Sequence, residues 1–133
     1  MRRVAVTLVA GVLMTVLSPV APAAHADTGF WRSTGLRGVD AFGVYRRRPA
    51  KVTLSFFLRD TRKDGRSPAV RLTFTGRHGA VVRVVALGPG GRRRRWRTVS
   101  APNTGHLYAQ ECVGGWRKKK FRIRKCGGWR RRY

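Results

Sequence analysis

The sequence predicts an all-β fold: a small antiparallel β-sandwich, or a partly open barrel, that follows a cleaved signal peptide and carries one disulfide. Three observations predict it. Apolar and polar side chains alternate with a period of two in several segments. These segments are spaced 8 to 15 residues apart and are separated by Gly- and Pro-rich turns, with no long helical period, no internal repeat and no heptads. The chain has two cysteines, Cys112 and Cys126, behind an export signal.

The start of the chain reads as that signal. Met1-Arg2-Arg3 is cationic, Val4 to Leu17 is apolar apart from Thr7 and Thr15, and Ser18-Pro19-Val20-Ala21-Pro22 breaks any helix. Ala24-His25-Ala26 places small residues around a free position, so cleavage is expected after Ala26. The apolar run of 14 residues is shorter than the roughly 20 needed to span a bilayer, and no later segment is apolar enough. Cleavage leaves 107 of the 133 residues, with 28 basic and 5 acidic side chains. That is one small domain, with a modest core and strong self-repulsion. A Cys112–Cys126 bond would close a loop of 15 residues and add about 3 kcal/mol in the chain-entropy model.

The elements follow in order. Asp27 to Gly38, with glycines at 29, 35 and 38, reads as an irregular or edge-strand start packed down by Phe30 and Trp31. Val39 to Tyr45 is a first strand, ended by Arg46-Arg47-Arg48-Pro49. Lys51 to Arg59 is the clearest strand, with Val52, Leu54, Phe56 and Leu58 on one face and Lys51, Thr53, Ser55, Phe57 and Arg59 on the other. Pro68 to Thr75 repeats the pattern with Val70, Leu72 and Phe74 inward. Between them Asp64-Gly65 signals a turn, either a hairpin or a corner between sheets. Gly76 to Gly79 turns again, and Ala80 to Leu87 is a β-branched run ended by Gly88-Pro89-Gly90-Gly91. Arg92 to Ser100 reads as a strand anchored by Trp96 and Val99. His106 to Val113 is the last clear strand, with Gly114-Gly115 as its breaker. Phe121 to Lys125 alternates as well. A turn centred near Trp116 would leave Cys126 out of reach of Cys112, so either the turn is centred near Lys119 or the segment folds back as a disulfide-tied flap.

Charge sets the functional expectation. The whole chain holds 30 Lys and Arg against 5 Asp and Glu, a formal net charge of +25, which excludes the mixed-sign surface of an ordinary soluble enzyme. Residues 27–91 carry a net +9 over 65 positions, and residues 92–133 a net +14 over 42. The clusters are Arg92, Arg93, Arg94, Arg95 and Arg97; Arg117, Lys118, Lys119 and Lys120; Arg122, Arg124 and Lys125; and Arg130, Arg131 and Arg132. Trp96, Trp116, Phe121, Trp129 and Tyr133 interrupt or border them. Cations with interleaved rings suit single-stranded nucleic acid, where phosphates take the charge and bases the rings. They suit anionic membranes too, and an anionic wall polymer needs the charge alone. The plain alternative is composition. After residue 26, Arg outnumbers Lys 22 to 6, as a GC-rich genome encodes by default.

Catalytic and metal motifs are thin. Asp60-x-x-x-Asp64-Gly65 matches part of a calcium loop, but Arg62 and Arg71 stand where carboxylates are required, so the turn reading prevails. The cysteines, 14 apart with no histidine pair nearby, do not fit a zinc site. A ribonuclease would draw on His78, His106 and Glu111, yet His106 and Glu111 are five apart and face opposite sides of a regular strand. G-x-S-x-G is absent. No cofactor and no catalytic residue is expected.

The stretch from Leu58 to Arg71, LRDTRKDGRSPAVR, resembles a D-T-x-x-D-G-x-x-x-x-V segment of small secreted actinobacterial proteins without an assigned activity. The resemblance implies a compact β-sandwich behind a signal peptide with a late cysteine pair, here Cys112 and Cys126, and it supplies no catalytic residue. The gap between the cysteines is longer here and the tail more basic. The expectation is a secreted, cationic, non-enzymatic protein that binds anionic polymer or an anionic cell surface through residues 92–133, and nucleic acid in vitro. The alternatives are a membrane-active toxin or antimicrobial, a small ribonuclease, and a structural protein without a specific ligand.

Overall fold

The computed structural model describes residues 27–32, 35–77, 79–89 and 94–133. Residues 1–26, where a signal peptide is expected, and His78, Gly90, Gly91, Arg92 and Arg93 lie outside them. The strands are β1 (Asp27–Arg32), β2 (Val39–Arg47), β3 (Lys51–Asp60), β4 (Ser67–Gly76), β5 (Gly79–Ala86), β6 (Arg94–Pro102), β7 (His106–Arg117), β8 (Lys120–Cys126) and the short β9 (Arg130–Arg131). They form two antiparallel sheets packed as a sandwich, ordered β1-β2-β3-β6 and β5-β4-β7-β8, with β9 also beside β7.

Alternation builds the core as the sequence predicts. Val52, Leu54, Phe56 and Leu58 of β3 meet Val70, Leu72 and Phe74 of β4 and Leu107, Ala109 and Val113 of β7 between the sheets. The segment between β3 and β4 is a corner that carries the chain from one sheet to the other. Asp60 Oδ1 accepts the Arg62 N–H at 2.9 Å and Asp64 Oδ1 accepts the Arg66 N–H at 3.0 Å, so both carboxylates serve the turn. β3 packs on β4 and β2 on β7. Beyond β9, Arg132 lies over the ring of Trp31 in β1. The remaining edges, β6 and β5, therefore share the opposite flank.

Two expectations need correction. Phe30 and Trp31 do not both pack inward: Trp31 is buried, while Phe30 is 69% exposed on the outer face. Neighbours on a strand must point oppositely, and Trp31 is the one opposite Gly43, whose missing side chain lets the indole lie 5.5 Å from Phe56. Gly114-Gly115 does not end the strand, because β7 runs on to Arg117. A Cβ on Gly114 would sit 2.1 Å from the Arg122 carbonyl oxygen and 2.7 Å from the Phe121 ring. The glycine is there for close approach, not for a break.

The turn near Lys119 is the arrangement adopted. Arg117 pairs with Lys120 across a two-residue loop, Lys118-Lys119. In an unbroken register Cys112 would face residue 125. The pairing shifts by one between Val113 and Gly114, with Arg124 as the extra residue, and so brings Cys126 opposite Cys112. The disulfide joins them. The chain then continues along β7: Gly127 N–H donates to the Glu111 carbonyl and Arg132 N–H to the Leu107 carbonyl. The basic tail is thus an ordered edge of the second sheet.

Candidate polyanion-binding surface

The topology gathers cations that the sequence scatters. One end of the sandwich is built from the segment 35–38, the corner 61–66, the end of β5 at 87–89 and the β7–β8 hairpin tip. Their adjacency is fixed by backbone. Thr61 N–H donates to the Gly38 carbonyl, Leu87 N–H donates to the Pro68 carbonyl, and Ser67 pairs with Gly114. This basic pole exposes Arg37, Arg62, Lys63, Arg66, Arg117, Lys118, Lys119 and Lys120. The first four lie outside the stretch singled out from charge density. Only the strand order reveals that they join it.

The hairpin tip is built in an unusual way. Lys118 has φ of 45° and Lys119 of 65°, the left-handed pair of a type I′ turn. Asn-Gly normally fills those positions, because β-carbons crowd the backbone there. Behind the tip, a shallow groove is lined by Gly115, Trp116 and Ile123 and by the guanidinium-bearing Arg117, Arg122 and Arg124. Trp116 is structural. Its Nε1–H donates to the Leu87 carbonyl at 2.7 Å and its ring packs 5.5 Å from Phe121, which ties the hairpin to the end of β5.

The other expected residues do not join one patch. Arg94 and Arg95 leave β6 at the same pole but on the opposite flank, where Arg94 pairs with Arg59. Arg59 itself is bridged to Asp40 at 2.6 Å. Arg97 pairs with Phe56 on the inward row. Burial, with help from nearby Arg95, holds its pKa below the usual arginine value. Trp96 points the other way and is 60% exposed. Arg122, Arg124 and Lys125 are exposed along β8.

The tail beyond Cys126 is committed to the fold at several points. One face of Trp129 is covered by the Arg71 guanidinium, 4.7 Å from the ring centroid. Arg71 donates through Nε and Nη2 to Gln110 Oε1, and Gln110 Nε2 donates to the Gly127 carbonyl at 2.7 Å. Arg130 and Arg131 are exposed, with Arg131 Nη2 3.1 Å from His106 Nδ1. Arg132 is tucked over Trp31, and its carbonyl accepts the Tyr45 hydroxyl at 3.3 Å. Burial lowers its pKa, Glu111 opposes that shift, and Arg130 adds to it. The Tyr133 ring packs at a tilt against Tyr45, centroids 5.1 Å apart, beneath Arg47. Burial is the main cause that pushes its pKa up to about 12, against the opposing charge of Arg47.

The residues weighed for hydrolysis stand apart. His106 is exposed on the outer face of β7, whereas Glu111 points inward, is 2% exposed and accepts the Leu36 N–H at 2.9 Å. Among the described residues no group of three His, Cys, Asp or Glu side chains is placed to hold a metal ion. Comparison with family models, with curated proteins and with solved structures gives no match.

Proposed function

We propose that this chain is a secreted, non-enzymatic, cationic protein that holds an anionic polymer or anionic surface against its basic pole, with Arg94 and Arg95 on one flank and Arg122 and Arg124 on the other. The observation that carries the reading is the hairpin tip. A GC-rich genome accounts for arginine but not for lysine, and three of the chain's six lysines stand consecutively at 118–120. Two of them occupy positive-φ positions that disfavour them. A conformational cost at an exposed turn, borne by charged side chains, points to use of the charge. The groove behind the tip adds three guanidinium groups, which suit phosphate or carboxylate through paired N–H donors. The disulfide is compatible with export, for which the N-terminal segment is the main support.

The test is binding as a function of salt. Replacing Arg92–Arg95 and Arg117–Lys120 with Ser should weaken binding to duplex DNA, to an anionic wall polymer and to anionic vesicles, and flatten its salt dependence. Unchanged binding by that variant sinks the proposal. Dye release from anionic but not neutral vesicles would instead favour the toxin reading.

A further inference from the structure

The outer face of the β1-β2-β3-β6 sheet carries apolar surface that the core does not use. Phe42, Phe57 and Trp96 are register partners in one row across β2, β3 and β6, with ring centroids 5.2 to 6.0 Å apart. In the next row Phe30 faces Val44, and these two are 69% and 46% exposed. The buried face of this sheet is complete without them, so burial of a core does not explain them. Contiguous exposed apolar surface of this kind marks an interaction site.

The surroundings state the chemistry of the partner. Arg32, Arg46, Lys51, Arg59 and Arg94 project from the same face by register, and the carboxylate among them, Asp40, is engaged with Arg59. Beside the Phe30 row lies a shallow depression lined by Arg46, Arg48 and Lys51 with the hydroxyls of Thr28, Thr53 and Ser55. A partner must therefore be polyanionic and must carry flat apolar rings. Two polymer classes combine negative charge with rings. An acidic polysaccharide offers puckered rings edged by hydroxyls rather than flat faces, and four of the hydroxyls on this face already pair with one another, Thr53 with Ser100 and Ser55 with Thr98, each at 3.2 Å. A nucleic acid needs only ring faces and cations. Base pairing hides the ring faces in a duplex, so the fit is to a single strand.

We propose that this face is a stacking platform for single-stranded nucleic acid, with bases on Phe30 and Trp96 and phosphate in the depression beside Phe30. Phe30 and Trp96 lie on β1 and β6, three inter-strand spacings across the sheet and two residues apart along it, or about 16 Å, so a short strand reaches both. The platform shares Arg94 with one flank of the basic pole, but its rings lie on the outer face of the sheet that does not carry the hairpin tip.

The experiment separates rings from charge. An oligothymidylate of roughly 12 nucleotides and an abasic strand of the same length carry the same phosphates. Binding of each to the purified protein is measured by fluorescence anisotropy at about 0.5 M salt, where charge is largely screened. The oligothymidylate should bind at least about tenfold more tightly than the abasic strand. F30S/W96S should remove that preference while keeping the fold, read by circular dichroism, with a melting temperature lowered by only a few degrees as Trp96 gives up its contacts with Phe42 and Phe57. Serine at Lys118, Lys119 and Lys120 should leave the preference for the oligothymidylate unchanged. Equal binding of the two strands by the unmodified protein overturns the platform, and that comparison needs no variant to fold. Three other outcomes overturn it as well. One is a preference that survives F30S/W96S. Another is polygalacturonate displacing the oligothymidylate as well as the oligonucleotide itself does. The last is self-association that F30S/W96S abolishes without effect on the oligonucleotide.

Discussion

Replacing Lys118-Lys119 with Asn-Gly separates the turn that the hairpin tip forms from the binding we propose for its charge. Both positions have positive φ, at 45° and 65°. A left-handed non-glycine residue costs about 1–2 kcal/mol relative to the right-handed region. Glycine gives back part of that relief through the larger entropy of its unfolded chain. The net expectation is a gain of about 1 kcal/mol, or a melting temperature higher by roughly 4–5 °C for a domain near 100 residues. Binding should move the opposite way. If both lysines neutralise phosphates, the slope of log K against log salt on duplex DNA becomes shallower by about 1.8. Extrapolated from a common affinity at about 1 M, that is up to about a 60-fold loss at about 0.1 M salt. Thermal melting by circular dichroism reads the first quantity, and fluorescence anisotropy across a salt series reads the second. A variant that melts higher and binds as before would refute a functional use of these lysines. A variant that melts lower would refute the turn argument itself.

Three further outcomes are expected. Gly114→Ala forces a β-carbon onto the Arg122 carbonyl and should destabilise the fold by about 1–3 kcal/mol, measured by urea denaturation. The double variant C112S/C126S should lose about 3 kcal/mol, because it frees the 15-residue loop of the unfolded chain; an unchanged urea midpoint would show that the bond contributes nothing. Tyr133 is held neutral in the folded state, with its pKa raised from 10.0 to about 12. Its contribution is complete below pH 10 and fades as pH rises from about 10 towards 12. Tyr133→Phe should therefore make unfolding less dependent on pH across that window and leave it unaltered at neutral pH.

The strands and their buried faces were legible in the sequence because burial on one side writes a period of two, as in Val52, Leu54, Phe56 and Leu58. What the sequence concealed was two-dimensional. Gly114-Gly115 reads as a breaker along the chain, and only the neighbouring Phe121-Arg122 backbone explains it as a close approach. The pairing of Cys112 with Cys126 depended on a one-residue bulge at Arg124, which no local pattern announces. The same limit applied to the surface. Charge density along the chain pointed to residues 92–133, but strand order placed Arg94 and Arg95 on one flank and the β8 cations on the other. It also added Arg37, Arg62, Lys63 and Arg66 from loops distant in sequence. Phe57 was expected on the polar face of its strand, but its contact with Phe42 and Trp96 needed the register of three strands. Tail aromatics such as Trp129 resembled free stacking groups until Arg71 was found across the ring.

The central claim is that place, and not only net charge, makes this protein a polyanion binder. The most direct measurement compares two triple serine variants of equal charge on the same anionic polymer across a salt series. One removes Lys118, Lys119 and Lys120 at the pole. The other removes the exposed cations Arg77, Arg83 and Arg131, which lie away from it. The pole variant should show a slope on duplex DNA shallower by about 2.7 and a matching loss of affinity, while the other stays close to the unmodified protein. Equal losses from the two variants would contradict the account, leaving a sticky cationic surface with no chosen site.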